Sequence, residues 1–196
     1  SDVCSSDLAT VKDLTMTANA TLGNMPVKQR MLMILPNQLR QEQELPFGKV
    51  FVKWDGKMGT FQAPNVPAPM PMPPPIQRQL TEELFRNLFT LLQSDGNPDR
   101  TVNALSDTEI EITDKSGNSA KVTIDPATGL PATLAYKMPG PAGPSEVVNH
   151  YKDWRETGGL KAPFLLEIFQ AGKKASEVKY ETITVNPGVK LEEIMK

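Results

Sequence analysis

Leu14-Thr15-Met16-Thr17-Ala18-Asn19-Ala20-Thr21-Leu22 is the stretch that decides the fold. Apolar side chains fall at every second position, with Thr or Asn between them. A period of two puts Leu14, Met16, Ala18, Ala20 and Leu22 on one face of an extended strand and their polar neighbours on the other. Gly23-Asn24 then turns the chain. A half-buried strand closed by a turn is the start of an antiparallel sheet.

The pattern continues outward from there. Residues 27–35 form a second, more apolar strand, broken by Pro36-Asn37. Residues 39–45 alternate again, with Arg40, Glu42 and Glu44 on one side, and Pro46-Phe47-Gly48 turns the chain. Residues 49–54 and 57–62 are a pair of strands around Asp55-Gly56, a hairpin signal.

Residues 64–75 are a different material, since seven of the twelve are proline. Proline has no N–H to give a sheet and favours extended polyproline II. The segment reads as a stiff crossover or lid rather than a docking peptide, because Met70 and Met72 suggest packing. A helical segment over 76–94 follows. Ile76, Leu80, Leu84, Leu88, Leu91 and Leu92 lie along one stripe, widened by Phe85 and Phe89. Thr81 can cap, with Glu82 and Glu83 in the first turn, which makes the turn before it a separate short helix. Asp95-Gly96-Asn97-Pro98 ends it.

Strands then resume at 100–105, 109–112, 122–124, 130–138, 146–155, 164–170 and 177–185, separated by turn residues such as Ser116-Gly117-Asn118. The face parity of the last strand slips, which places a bulge near Thr182. Helices do not alternate with strands, so a parallel α/β sheet is excluded. The expected class is α+β, mainly antiparallel β. It is one curved, incomplete barrel of about eleven strands around one amphipathic helical segment. Residues 9–196 form a single domain, with no internal repeat.

Residues 1–8, Ser-Asp-Val-Cys-Ser-Ser-Asp-Leu, match the translation of a common short-read sequencing adapter, and read as that rather than as native sequence. Setting them aside removes the only cysteine, Cys4. It also removes Asp2 and Asp7 from the 23 acids, which then match the 21 Lys and Arg. A neutral chain has no electrostatic footprint for nucleic acid or an anionic membrane. An adapter-derived start leaves room for a signal peptide or a further domain upstream. The longest apolar run, Met31 to Leu35, is five residues, whereas a membrane span needs about 20.

Chemistry is hard to place. His150 is the only histidine, which rules out a zinc site built on several histidines and leaves any serine nucleophile with one possible base. No Gly-x-Ser-x-Gly elbow accompanies it. His150 reads as a sheet histidine sharing a face with Val148, Lys152 and Trp154. Gly140-Pro141-Ala142-Gly143 lacks the lysine and helix start of a phosphate loop. Asp125 reads as a turn-former. No catalytic residue, metal or cofactor is assigned. The nine methionines fit either plain core packing or an adaptable apolar surface.

Four stretches resemble the LolA/LolB-like lipoprotein-carrier proteins. Ile124-Asp125-Pro126-Ala127-Thr128-Gly129-Leu130-Pro131 resembles their Thr-Gly-Leu-Pro turn. Tyr151-Lys152-Asp153-Trp154 with Gly159-Leu160-Lys161-Ala162-Pro163-Phe164 resembles a late strand pair. Trp54-Asp55-Gly56 resembles their aromatic-Asp-Gly hairpin, and Val185-Asn186 their late strand ending. The resemblance implies a half-barrel closed by helices over an apolar cavity for acyl chains, in a periplasmic or otherwise exported protein. A second, looser resemblance is to tail domains of insulinase/pitrilysin-type zinc peptidases.

Two functions follow as expectations. The first is a non-catalytic lipid- or lipoprotein-binding carrier with lipid or lipoprotein acyl chains as partner. Its cavity would be lined by Met16, Ala18, Val50, Val52, Trp54, Leu84, Leu88 and Leu92, and the helix or the proline segment would be its gate. The second is a structural or interaction domain with a filled core, appended to an upstream peptidase domain.

Overall fold

The structure is a computed structural model that describes residues 10–140 and 143–196. The adapter-like residues 1–8 lie outside that range, as do Pro141 and Ala142 of the Pro/Gly loop.

The first half of the chain is a meander of β1 (Asp13–Leu22), β2 (Met25–Ile34), β3 (Gln38–Leu45), β4 (Gly48–Trp54), β5 (Gly59–Gln62) and β6 (Met70–Pro71). The second half is another, of β7 (Arg100–Ala104), β8 (Glu109–Asp114), β9 (Ser119–Ile124), β10 (Pro131–Met138), β11 (Ser145–Thr157), β12 (Leu160–Gln170) and β13 (Lys173–Val185). The first strand pairs antiparallel with the last, Leu14 opposite Val185 and Ala18 opposite Tyr180. That pairing fuses the meanders into one sheet of thirteen strands whose open edges are β6 and β7. The strand after β6 is therefore at the far edge, so the linking chain must cross the open side of the curved sheet. The helices make that crossing.

The expected bulge is present, one residue from its expected place. Thr17 faces Thr182 but Ala18 faces Tyr180, so Glu181 is the extra residue. The strand count exceeds the expected eleven partly because the proline segment contributes β6. Met70 pairs with Phe61, and the N–H of Met72 donates to the Gly59 carbonyl. The methionines between the prolines supply the pairing, and prolines suit an edge strand that must not recruit another. Met72 is buried while Met70 is exposed.

Helix α1 spans Pro74–Phe85 and α2 spans Leu88–Leu92. The expected cap at Thr81 is a misreading. Pro74 and Pro75 occupy the first turn, where proline's fixed φ and missing N–H carry no cost. Thr81 lies mid-helix, its hydroxyl donating to the Arg78 carbonyl. The break falls instead at Arg86-Asn87. The Asn87 side-chain oxygen accepts from the N–H groups of Phe89 and Thr90 and starts α2 afresh.

The inner face is layered by register. Leu14, Met33, Leu39 and Trp54 lie side by side across β1 to β4 and are all buried under α1. Beside Trp54 stands Gly59, where a Cβ would sit 2.2 Å from the Lys53 carbonyl oxygen and 2.9 Å from the Trp54 ring. Gly59→Ala is expected to lower the unfolding free energy by about 1–3 kcal/mol by overpacking, read as a shift of the urea midpoint.

The outer face is polar. Leu32 is its buried exception, covered where a C-terminal helix α3 (Leu191–Met195) straps the sheet through the fully buried Ile194. Arg40, opposite Leu32, and Lys53, opposite Arg40, donate to the Glu193 and Met195 carbonyls.

Elsewhere on the outer face, ion pairs with Lys152 and Lys174 hold the Glu167 carboxyl down to about 2, against an ordinary 4.5. A folded-state value below the unfolded one adds stability above about pH 4.5 that is lost as pH falls towards 2. The lysines are exposed, so Glu167→Gln is expected to cost at most about 1 kcal/mol at neutral pH. The variant's acid-unfolding curve should be shallower over that window.

Candidate functional site

The inner face holds two apolar clusters. One gathers Leu14, Met16, Met33 and Trp54 under Leu80 and Leu84 of α1. The other gathers Ile112, Val122, Leu134 and Tyr151 under Leu88 and Leu91 of α2. The break at Arg86-Asn87 sits over the seam between them. A cavity of about 100 Å³ remains there, where Asn87, Leu88 and Phe89 face Met16 on β1, Ile183 and Tyr180 on β13, and Leu166, Asn149 and Tyr151 on β12 and β11.

Of the eight residues expected to line a cavity, Met16 and Leu88 border this one. Trp54 and Leu84 are buried in the first cluster, and Ala18 is buried on the same sheet face. Val50 and Val52 are half-buried on that face, and Val52 packs against the first cluster. Leu92 packs against both clusters, and with Val11 and Leu35 it borders an open trough of about 760 Å³ at the end of α2.

Polar groups near the seam were not anticipated from the sequence. Arg86 stacks its guanidinium 4.4 Å over the Tyr136 ring and pairs with Glu82 at 3.6 Å, with little of its side chain exposed. Arg100 lies 4.9 Å over Phe85 and donates to the Thr90 carbonyl and the buried Ser94 hydroxyl. Burial pulls its pKa below the usual arginine value. The two arginines tie the helical segment to β10 and to the edge strand β7. Burial pushes the Tyr180 hydroxyl up to about 12 and that of Tyr151 further still. Neither tyrosine ionises near neutral pH, so both stay available as hydroxyl donors.

His150 stands edge-on to Phe169 at 5.1 Å on the outer face. Trp154 does not share that face as expected. Asp153 has φ 53°, which flips the parity, and Trp154 packs against Tyr151 in the second cluster. Asp125 is a turn-former, accepting from the Ala127 N–H and the Thr128 hydroxyl. Among the described residues, no group of three or more His, Cys, Asp or Glu side chains is placed to hold a metal ion, and no helix is long and apolar enough to cross a membrane.

No protein-family model and no curated protein sequence matches the chain. Solved structures do. A domain described as an outer membrane lipoprotein-sorting protein domain, from Vibrio parahaemolyticus, aligns with a TM-score of 0.58 at 9% identity, over 93% of this chain and 88% of that one. A LolA superfamily protein from Nitrosomonas europaea aligns at 0.58 and 11% identity, over 94% and 89% of the two chains. A DUF1329 family protein from Desulfovibrio piger aligns at 0.57 and 11% identity, over 94% and 92%. The half-barrel with a helical segment across its open side is thus the fold of the LolA superfamily and lipoprotein-sorting structures.

Proposed function

We infer that the chain is a non-catalytic carrier-like module that binds lipid or lipoprotein acyl chains on the concave face of its sheet. One observation carries this reading. On the face that carries the core, Val50, Val52, Phe61 and Ile168 are only half-buried, and Gln41 and Gln43 stand beside the two valines on that same face. An acyl chain laid against these side chains gains roughly 25 cal/mol per Å² of apolar area removed from water. In this reading Met16, Ala18, Val50, Val52 and Trp54 are the sheet wall, and Leu84, Leu88 and Leu92 are the helix side. The Arg86-Asn87 break is the hinge about which α1 lifts. The fold likeness to a lipoprotein-sorting domain supports this reading and its corollary of an exported, periplasmic location.

The size of the seam cavity favours a second reading. At about 100 Å³ the seam cavity is below the roughly 300 Å³ of ordinary ligand pockets, too small for an acyl chain unless α1 moves. A filled-core interaction domain, appended to a zinc-peptidase-type partner, needs no such motion. Native mass spectrometry of the purified protein, with titration of a fluorescent fatty acid, separates the two. The carrier reading expects co-purified lipid and saturable one-to-one probe binding. Empty protein that leaves the probe unbound would sink it in favour of the filled core.

A further inference from the structure

The inner face of β11 runs Val147, Asn149, Tyr151. Its neighbours across β10 and β12 are Leu134 and Ile168, and every structural argument asks for an apolar side chain between them. Asn149 is there instead, only 9% exposed. Its Oδ1 is buried with no hydrogen-bond partner. A buried acceptor without a donor costs stability, and native proteins rarely keep one without a use. The other end of the amide lies within hydrogen-bond reach of the Tyr151 hydroxyl.

The orphan atom belongs to a side chain that lines the seam cavity. Tyr151 and Tyr180, both neutral at physiological pH, line it too. The cavity thus combines an acceptor that lacks a donor with two hydroxyls able to donate, ringed by Met16, Leu88 and Leu166. Its volume of about 100 Å³ suits a small polar linkage, not a hydrocarbon tail. The tail would continue across the sheet past Met16 towards the half-buried Val50 and Val52.

The geometry points to a linkage-reading subsite: the cavity takes the secondary amide of an N-acyl lipid, with the amide N–H donating to Asn149 Oδ1 and its carbonyl accepting from Tyr151 or Tyr180. This rests on the lipid-binding reading above and sharpens it, because an ester of the same length has the carbonyl but no N–H. A site built to hydrogen-bond a group discriminates strongly against the analogue that lacks it.

The test compares N-palmitoylglycine methyl ester with its oxygen isostere, palmitoyl glycolate methyl ester, by competition against a bound fluorescent fatty acid. The wild-type protein is expected to prefer the amide by about tenfold. Asn149→Val, a strand-compatible apolar replacement, is expected to lose that preference and to raise the thermal midpoint of the ligand-free protein. Equal wild-type affinity for both ligands would overturn the subsite while leaving the lipid-binding reading intact, and would mean that ordered water alone satisfies Asn149. A variant that keeps the amide preference would overturn it as well. If the wild-type protein binds neither ligand nor the probe, the lipid-binding reading fails and the subsite with it. The wild-type comparison decides the matter even if the variant does not fold.

Discussion

Leu134→Ala is expected to lower the unfolding free energy by about 3–5 kcal/mol, the largest stability loss of any single truncation considered. Leu134 has no exposed surface. It lies at the centre of the second meander, opposite Val122 on one side and Asn149 on the other. It also belongs to the cluster that receives Phe85, Leu88 and Leu91 from the crossing helices. Truncation therefore removes apolar burial and leaves a void bounded by two rigid layers, the sheet and α2. A strand held on both sides by neighbours cannot collapse inward to fill it, so the cost belongs at the upper end of the usual range. Against a total stability of about 5–15 kcal/mol, such a loss brings the domain near the limit of folding. Equilibrium urea denaturation measures it, with the slope unchanged and the midpoint shifted. Ile112→Val in the same cluster, also fully buried, should cost only about 1 kcal/mol. Similar losses for the two would mean that the cluster is looser than its burial suggests.

The sheet was legible in the sequence because its signal is local. The 14–22 alternation became β1 with Leu14, Met16 and Ala18 buried on one side, and the turn residues placed most strand ends within a few positions. The helix break was not legible for an instructive reason. Leu84, Leu88 and Leu92 continue one stripe straight through Arg86-Asn87, so periodicity alone sees a single helix, while the capping oxygen of Asn87 restarts it. Thr81 looked like the cap because Ser and Thr cap helices often, but Pro74 and Pro75 had already begun one. The seam cavity was out of reach because its walls meet through the β1–β13 pairing, which joins residues about 165 positions apart with no local trace. Asn149 alone had a usable mark. It is a polar residue on the apolar parity of Val147 and Tyr151, and parity breaks of that kind mark either a bulge or a site.

Leu84→Ala separates the carrier from the filled-core domain. Leu84 is buried on α1 against the first cluster, and its truncation is expected to cost about 2–4 kcal/mol in ligand-free stability. Under the carrier reading α1 covers the buried part of the wall, Met16 and Trp54, so full binding waits on the minor state in which α1 has lifted. Apparent affinity is then the intrinsic affinity multiplied by that state's population. Weakening the hold of α1 by about 2 kcal/mol raises the population about thirtyfold while it remains small. Loss of the Leu84 methyls from the helix side of the site takes part of that back, leaving a net gain of about tenfold for a fluorescent fatty acid. Leu32→Ala is the control. Leu32 is equally buried, but on the outer face, where α3 straps the sheet, so its truncation lowers stability without favouring the lifted state. A destabilised protein that binds tighter at Leu84 but not at Leu32 identifies the helix as a lid competing with ligand. Equal behaviour of the two variants would show that α1 is a permanent part of the core. An acyl chain would then be confined to apolar side chains outside the lid, such as Val50 and Val52 or the trough beside Leu92.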